Sequence, residues 1–124
     1  MKKSTILAAV FAALALSAGN ASAADAAKGK KVYNKCKACH ALKAGKNKVG
    51  PSLHGVFGRK AATVPGFKYS KAMKASGVTW DEESLRAYLK KPRKFIKGTR
   101  MAFAGIKKKK QMDNLIAYLK EATK

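Results

Sequence analysis

Two thiols and an imidazole stand within five residues, Cys36-Lys37-Ala38-Cys39-His40. Thiols three positions apart can each add across one vinyl group of a haem. The residue after the second thiol then reaches the iron from the same short turn. This C-x-x-C-H spacing is that of covalent c-type haem attachment, with His40 as the proximal axial ligand. Cys36 and Cys39 are the only cysteines, so both are used. A thiol redox pair usually sits in a βαβ setting, and no strand pattern flanks this one. A zinc site needs about four ligands, and Cys36, Cys39, His40 and His54 lack the spacing. A disulfide across three residues in an oxidising compartment would leave the histidine unexplained.

The second axial position is open to His54, a methionine, a lysine or nothing. Met73 and Met112 fall in helical patterns, where a methionine is simply core. Met101 stands apart, in Gly98-Thr99-Arg100-Met101-Ala102-Phe103-Ala104-Gly105. A methionine in a glycine-bounded loop has no helical face to fill, so spacing favours Met101 over His54 as the ligand.

The chain that must position these groups has 124 residues, and its start reads as an address. Lys2 and Lys3 precede an apolar run, Ile6 to Ala18, and Ala21-Ser22-Ala23 is a small-x-small cleavage site. This is the pattern of a secretory signal peptide. The run falls short of the ~20 residues that span a bilayer as a helix; an uncleaved anchor is the alternative. The expected organisation is a signal peptide over residues 1–23, cleaved near Ala23, and one domain over residues 24–124, exported to the periplasm. A domain of that size buries a limited core. A haem supplies a large apolar body to wrap around, and in bacteria it is attached outside the cytoplasmic membrane.

The formal charge is +22, and without Lys2 and Lys3 it is +20, from 26 basic and 6 acidic side chains. Such a balance implies an acidic partner. Lysines outnumber arginines 24 to 4 and are spread along the chain. Nucleic-acid readers favour arginine forks or a recognisable module, and neither is present. Hydrated lysine charges suit loose, salt-sensitive docking, and transient association with a membrane surface is compatible with them.

The pattern predicts helices and loops only. Asp25 caps a first helix through about Lys37, with Gly29, Val32, Tyr33 and Cys36 on one face. Gly29 costs roughly 1 kcal/mol in a helix, which suggests close approach of another backbone. Residues 41–69 are punctuated by glycine and proline and read as a wrapping loop region. Ser70 to Ser76 is a short helix stopped by Gly77. Thr79-Trp80-Asp81-Glu82 matches a capping box, opening a helix with Leu85, Tyr88 and Leu89 on its apolar face, and Pro92 stops it. Arg93 to Lys97 adds a turn. Met112, Leu115, Ile116 and Leu119 mark the last helix, to about Thr123.

These motifs together resemble the class I cytochromes c of the mitochondrial type, as found in bacterial periplasms. The resemblance covers residues 27–123. It rests on Cys36-Lys37-Ala38-Cys39-His40, Gly50-Pro51-Ser52-Leu53-His54-Gly55, Phe57-Gly58-Arg59, Thr79-Trp80, the stretch from Gly98 to Ile106, and Leu115-Ile116-Ala117-Tyr118-Leu119. It implies an all-α small cytochrome c fold, helices and long loops around one covalent haem c. It implies that Met101 is the second axial ligand and that the Pro51 carbonyl accepts the ring N–H of His40. Tyr69, Trp80 and Arg59 would hold the inner propionate, helped by Ser70 and Thr99. Gly29 and Tyr33 would cross Leu115 and Tyr118, and Leu53, Tyr88, Leu89 and Phe103 would line the pocket. Lys30, Lys35, Lys48, Arg93, Lys94, Arg100, Lys107 and Lys108 would ring the exposed haem edge. Two positions depart from the family pattern: Lys97 replaces a usual proline, and Met73 replaces a small polar residue.

The expected function is a monomeric, soluble single-electron carrier, not an enzyme, with no small-molecule substrate and no nucleic-acid partner. It would shuttle between acidic docking faces of membrane-bound redox complexes: a cytochrome bc-type donor and a terminal oxidase or photosynthetic reaction centre. The alternatives are a haem peroxidase or gas-binding protein with an open sixth site, and a thiol oxidoreductase.

Overall fold

The computed structural model describes residues 24–124; the expected signal segment, residues 1–23, lies outside them. Helix α1 spans Ala26–Tyr33 and starts where expected, because the Asp25 side chain accepts the Lys28 N–H at 3.1 Å. It ends at Tyr33, four residues earlier than the apolar pattern predicts. Past Tyr33 the backbone tightens into mixed turns: the Cys36 and Lys37 N–H groups both donate to the Tyr33 carbonyl, and those of Cys39 and His40 to the Cys36 carbonyl. The C-x-x-C-H segment is thus a coil of turns rather than the end of a helix.

Residues 41–69 contain no helix. Helix α2, Lys71–Ala75, is capped by the Ser70 hydroxyl, and Gly77 follows it with φ 65°. Helix α3, Glu82–Lys90, starts two residues later than the predicted box. Its cap is Asp81, which accepts the Ser84 N–H while the Ser84 hydroxyl accepts the Asp81 N–H. Thr79 cannot serve because it pairs with Lys60 in an isolated antiparallel bridge, which holds the chain extended through Trp80. Helix α4 is Pro92–Phe95, with proline at its first position, and α5 is Lys109–Ala122. Among the described residues there are five helices and no strand, the all-α class expected.

The principal seam is α1 against α5. A Cβ on Gly29 would meet the Asn114 carbonyl and lie 2.8 Å from Cβ of Tyr118. The glycine is there because the two backbones touch. The Tyr33 and Tyr118 rings meet at a tilt of 47°, with centroids 5.5 Å apart. Leu115 and Ile116 are almost fully buried. Asn114, an unexpected buried polar residue, accepts the Asp25 N–H at 2.8 Å and ties the start of the fold to α5.

Candidate haem site

The Nδ1 of His40 lies 2.8 Å from the Pro51 carbonyl oxygen. A proline carbonyl can only accept, so Nδ1 carries the proton and Nε2 keeps the free lone pair a metal needs. Gly50 makes room for the ring: a Cβ there would lie 2.7 Å from Nδ1 and 2.8 Å from Nε2. The Tyr33 hydroxyl donates to the His40 carbonyl at 3.0 Å, so α1 also grips this residue. Burial holds the His40 ring below the usual histidine range, the Pro51 bond opposes this, and the Arg59 and Lys48 charges add to it. Cys36 is half-buried and Cys39 exposed. Burial pushes the Cys36 thiol up to about 11, against the pull of Lys35.

Met101 is half-buried and packs against the core, whereas His54 is exposed. The loop that carries Met101 is fixed at both ends by α3. At its entry the Thr99 hydroxyl pairs with the Tyr88 hydroxyl at 2.6 Å. At its exit the Ile106 N–H donates to the Leu89 carbonyl at 2.8 Å. Gly105, at φ 108°, sits where a Cβ would strike the Lys90 carbonyl group. No hydrogen bond joins His40 to Met101 among the described residues; separate segments hold them.

Arg59 and Trp80 are brought together by backbone bonds: the Trp80 N–H donates to the Arg59 carbonyl at 2.8 Å and the Gly58 N–H to the Trp80 carbonyl at 2.6 Å. The half-buried Arg59 fork donates to the Ser52 and His54 carbonyls, each at 3.0 Å, and meets no carboxylate among the described residues. Burial lowers its pKa and the neighbouring Tyr69 offsets part of this. The Tyr69 hydroxyl accepts the Val64 N–H at 3.1 Å. Thr99 joins this group through Tyr88, whose ring lies 5.0 Å from that of Trp80. Ser70 is committed to capping α2.

These features fit a haem. A half-buried histidine presents one free nitrogen beside two thiols, and a half-buried guanidinium meets no carboxylate among the described residues. Leu42, Leu53, Phe57, Met73, Leu89 and Phe103 lean on the core while keeping part of their surface uncovered. Three supporting groups were not singled out from sequence. Asn47 donates to the Pro65 carbonyl and accepts the Ser52 N–H, and the buried Ser52 hydroxyl donates to the Lys43 carbonyl at 2.7 Å. They organise the loop that delivers Pro51. The third is the Tyr33 hydroxyl. An asparagine between lysines in a glycine-bounded loop is a turn signal that could have pointed to Asn47.

A family model described as cytochrome c matches residues 26–123. A cytochrome c2 of Blastochloris viridis is 50% identical over 109 residues, 87% of this chain and 86% of that protein. A cytochrome c-550 of Nitrobacter winogradskyi is 50% identical over 101 residues, 81% of this chain and 93% of that protein. Among solved structures, cytochrome cH from Methylobacterium extorquens superposes with a TM-score of 0.72 at 48% identity, covering 77% of this chain and 97% of that one.

Proposed function

The chain belongs to the cytochrome c family, and on that premise we propose that it is a periplasmic one-electron carrier whose haem iron is held by His40 and Met101. Membership brings one covalently bound c-type haem and the role of an electron carrier. When bound, the haem supplies a one-electron ferrous/ferric couple. The observation that carries the ligand assignment is that His40 and Met101 are each fixed and half-buried while His54 is exposed.

Cys36 and Cys39 anchor the group covalently. His40, with Nδ1 committed to Pro51, presents Nε2, and the shared proton strengthens its donation. Met101 offers a soft thioether, which favours the reduced metal. Arg59, Tyr69 and Trp80, with Thr99, would hold a haem propionate, and the guanidinium of Arg59 would supply the cation that charge requires. Leu53, Tyr88, Leu89 and Phe103 exclude water.

Lys30, Lys35, Lys48, Arg93, Lys94, Arg100, Lys107 and Lys108 are all exposed. They form the docking face for acidic surfaces of membrane-bound redox complexes, a cytochrome bc-type donor and a terminal oxidase or photosynthetic reaction centre. Salt weakens such steering. The protein acts as a monomer, and residues 1–23 direct its export.

Redox titration of Met101→Ala and His54→Ala holoproteins tests the reading. Met101→Ala lowers the midpoint potential and admits exogenous ligands, and His54→Ala leaves both as in the parent. The reverse pattern overturns the assignment.

A further inference from the structure

We propose that Tyr33 is a positioning residue for the iron ligand: its hydroxyl holds the His40 backbone so that the imidazole stays on the Pro51 carbonyl, and this keeps the midpoint potential lower than it would be without the bond. The inference rests on the reading of His40 as an axial ligand.

The peptide groups around His40 are held by different parts of the chain. The His40 N–H donates to the Cys36 carbonyl at 2.9 Å. The Cys39 carbonyl accepts the Gly50 N–H at 2.7 Å, and the Ala41 carbonyl accepts the Leu53 N–H at 2.9 Å. Those two bonds bring up the loop that carries Pro51, and they leave the His40 carbonyl out. Among the described residues its one hydrogen-bond partner is the Tyr33 hydroxyl, 3.0 Å away. A neutral phenol has a proton to give and a carbonyl has none, so the direction of the bond is fixed.

Tyr33 itself has little freedom. It is the last residue of α1, and its own carbonyl accepts the Cys36 and Lys37 N–H groups at 2.8 and 3.1 Å. Its side chain is buried against α5, where Gly29 lets the two helices close up and the Tyr118 ring meets it. A phenylalanine would fill that seam as well. The hydroxyl is surplus to the packing, and its one bond goes to the residue that presents the imidazole. The two ends of the C-x-x-C-H segment are therefore tied to one residue: Cys36 to its backbone, His40 to its side chain.

The ring of His40 is held separately, by Nδ1 on the Pro51 carbonyl at 2.8 Å. That shared proton makes Nε2 a stronger donor, which favours the ferric metal and lowers the potential. With the His40 carbonyl released, the residue can turn, and the bond to Pro51 opens more often. A hydrogen bond of this kind changes such an opening equilibrium about fivefold.

The test compares ferrous holoproteins by proton NMR and by redox titration. Tyr33→Phe removes one oxygen and leaves the ring against Tyr118. Tyr118→Leu loosens the seam between α1 and α5 and leaves the Tyr33 hydroxyl in place. In Tyr33→Phe the His40 ring N–H should exchange with deuterium about fivefold faster than in the parent, and the midpoint potential should rise. Tyr118→Leu should melt at lower temperature, yet keep the parent's exchange rate and potential when both are read well below its melting point. Circular dichroism certifies the fold of each variant. If either the exchange rate or the potential of Tyr33→Phe matches the parent, the inference is overturned, and the hydroxyl only satisfies a carbonyl. Equal or larger changes in Tyr118→Leu overturn it in favour of a general loosening of the seam. The ligand reading is checked in the same spectra. An axial imidazole lies over the haem, so the ring current shifts its carbon-bound protons far upfield in the ferrous parent. Without those shifts His40 is not the ligand and both readings fall; with them, a silent Tyr33→Phe overturns this inference alone.

Discussion

The hydroxyls of Tyr88 and Thr99 lie 2.6 Å apart, so α3 holds the segment that leads to Met101. The next two residues of the same helix, Leu89 and Lys90, close on the far end of that segment at Gly105 and Ile106. One turn of one helix thus fixes both ends of the loop. The loop's glycines allow its bends, and α3 supplies its position.

Thr99→Val removes the hydroxyl and leaves the buried Tyr88 hydroxyl unpaired. The loss should be about 1–3 kcal/mol of stability. The weak iron–sulfur absorption band of the ferric protein should disappear at lower temperature than in the parent. A melting curve of that band matching the parent would show that the pin does not support the ligand loop.

Lys97 occupies the hinge of the same loop. Its N–H makes no hydrogen bond among those described, and Ile96 before it is extended, at φ −126° and ψ 96°. That is near the backbone a residue before proline adopts. Lys97→Pro should therefore stabilise the closed loop by roughly 0.4–1 kcal/mol by restricting its open alternatives. The iron–sulfur band should persist to higher pH and higher temperature. Loss of the band at the parent's pH or below it would contradict this.

The C-x-x-C-H segment, the close approach at Gly29 and the stop at Gly77 were legible because each is set by residues adjacent in sequence or by one residue type with one physical use. What escaped depends on distant partners. The cap of α3 moved from Thr79 to Asp81 because Lys60 claims Thr79. The anchor of Asp25 on Asn114 joins residues 89 positions apart. Asn47 and Ser52 looked like ordinary loop residues, yet their side chains set the turn that carries Pro51 to His40. Of the candidate site, His40, Pro51 and Met101 stood in quoted motifs; the side-chain bonds of Asn47 and Ser52 that set the Pro51 turn did not follow from them.

Arg86 is another such case. It bridges Glu82 on its own helix and Asp113 on α5, which also pair with Lys120 and Lys109. The Lys120 and Arg86 contacts hold Glu82 below the usual carboxylate range, and the Lys109 and Arg86 contacts do the same for Asp113. A depressed carboxylate stabilises the fold fully above its unfolded pKa and loses that contribution as pH falls through its folded value. Arg86→Met should thus cost most near neutral pH and converge with the parent in acid. The pairs lie at the surface and stay partly open to solvent, so the difference should stay below about 1 kcal/mol and shrink with added salt. Thermal melts of both holoproteins across the acid range check this; a constant offset at every pH would mean that Arg86 acts by packing alone.

A haem with both axial positions filled by this chain, as proposed, would separate a carrier from a catalyst or gas sensor. The most direct measurement is the visible spectrum of the ferrous holoprotein at neutral pH, before and after carbon monoxide is added. With His40 and Met101 as ligands the spectrum should stay unchanged, and prompt carbon monoxide binding should appear only in Met101→Ala. A prompt spectral shift in the parent protein would contradict this and place an open sixth site at the iron.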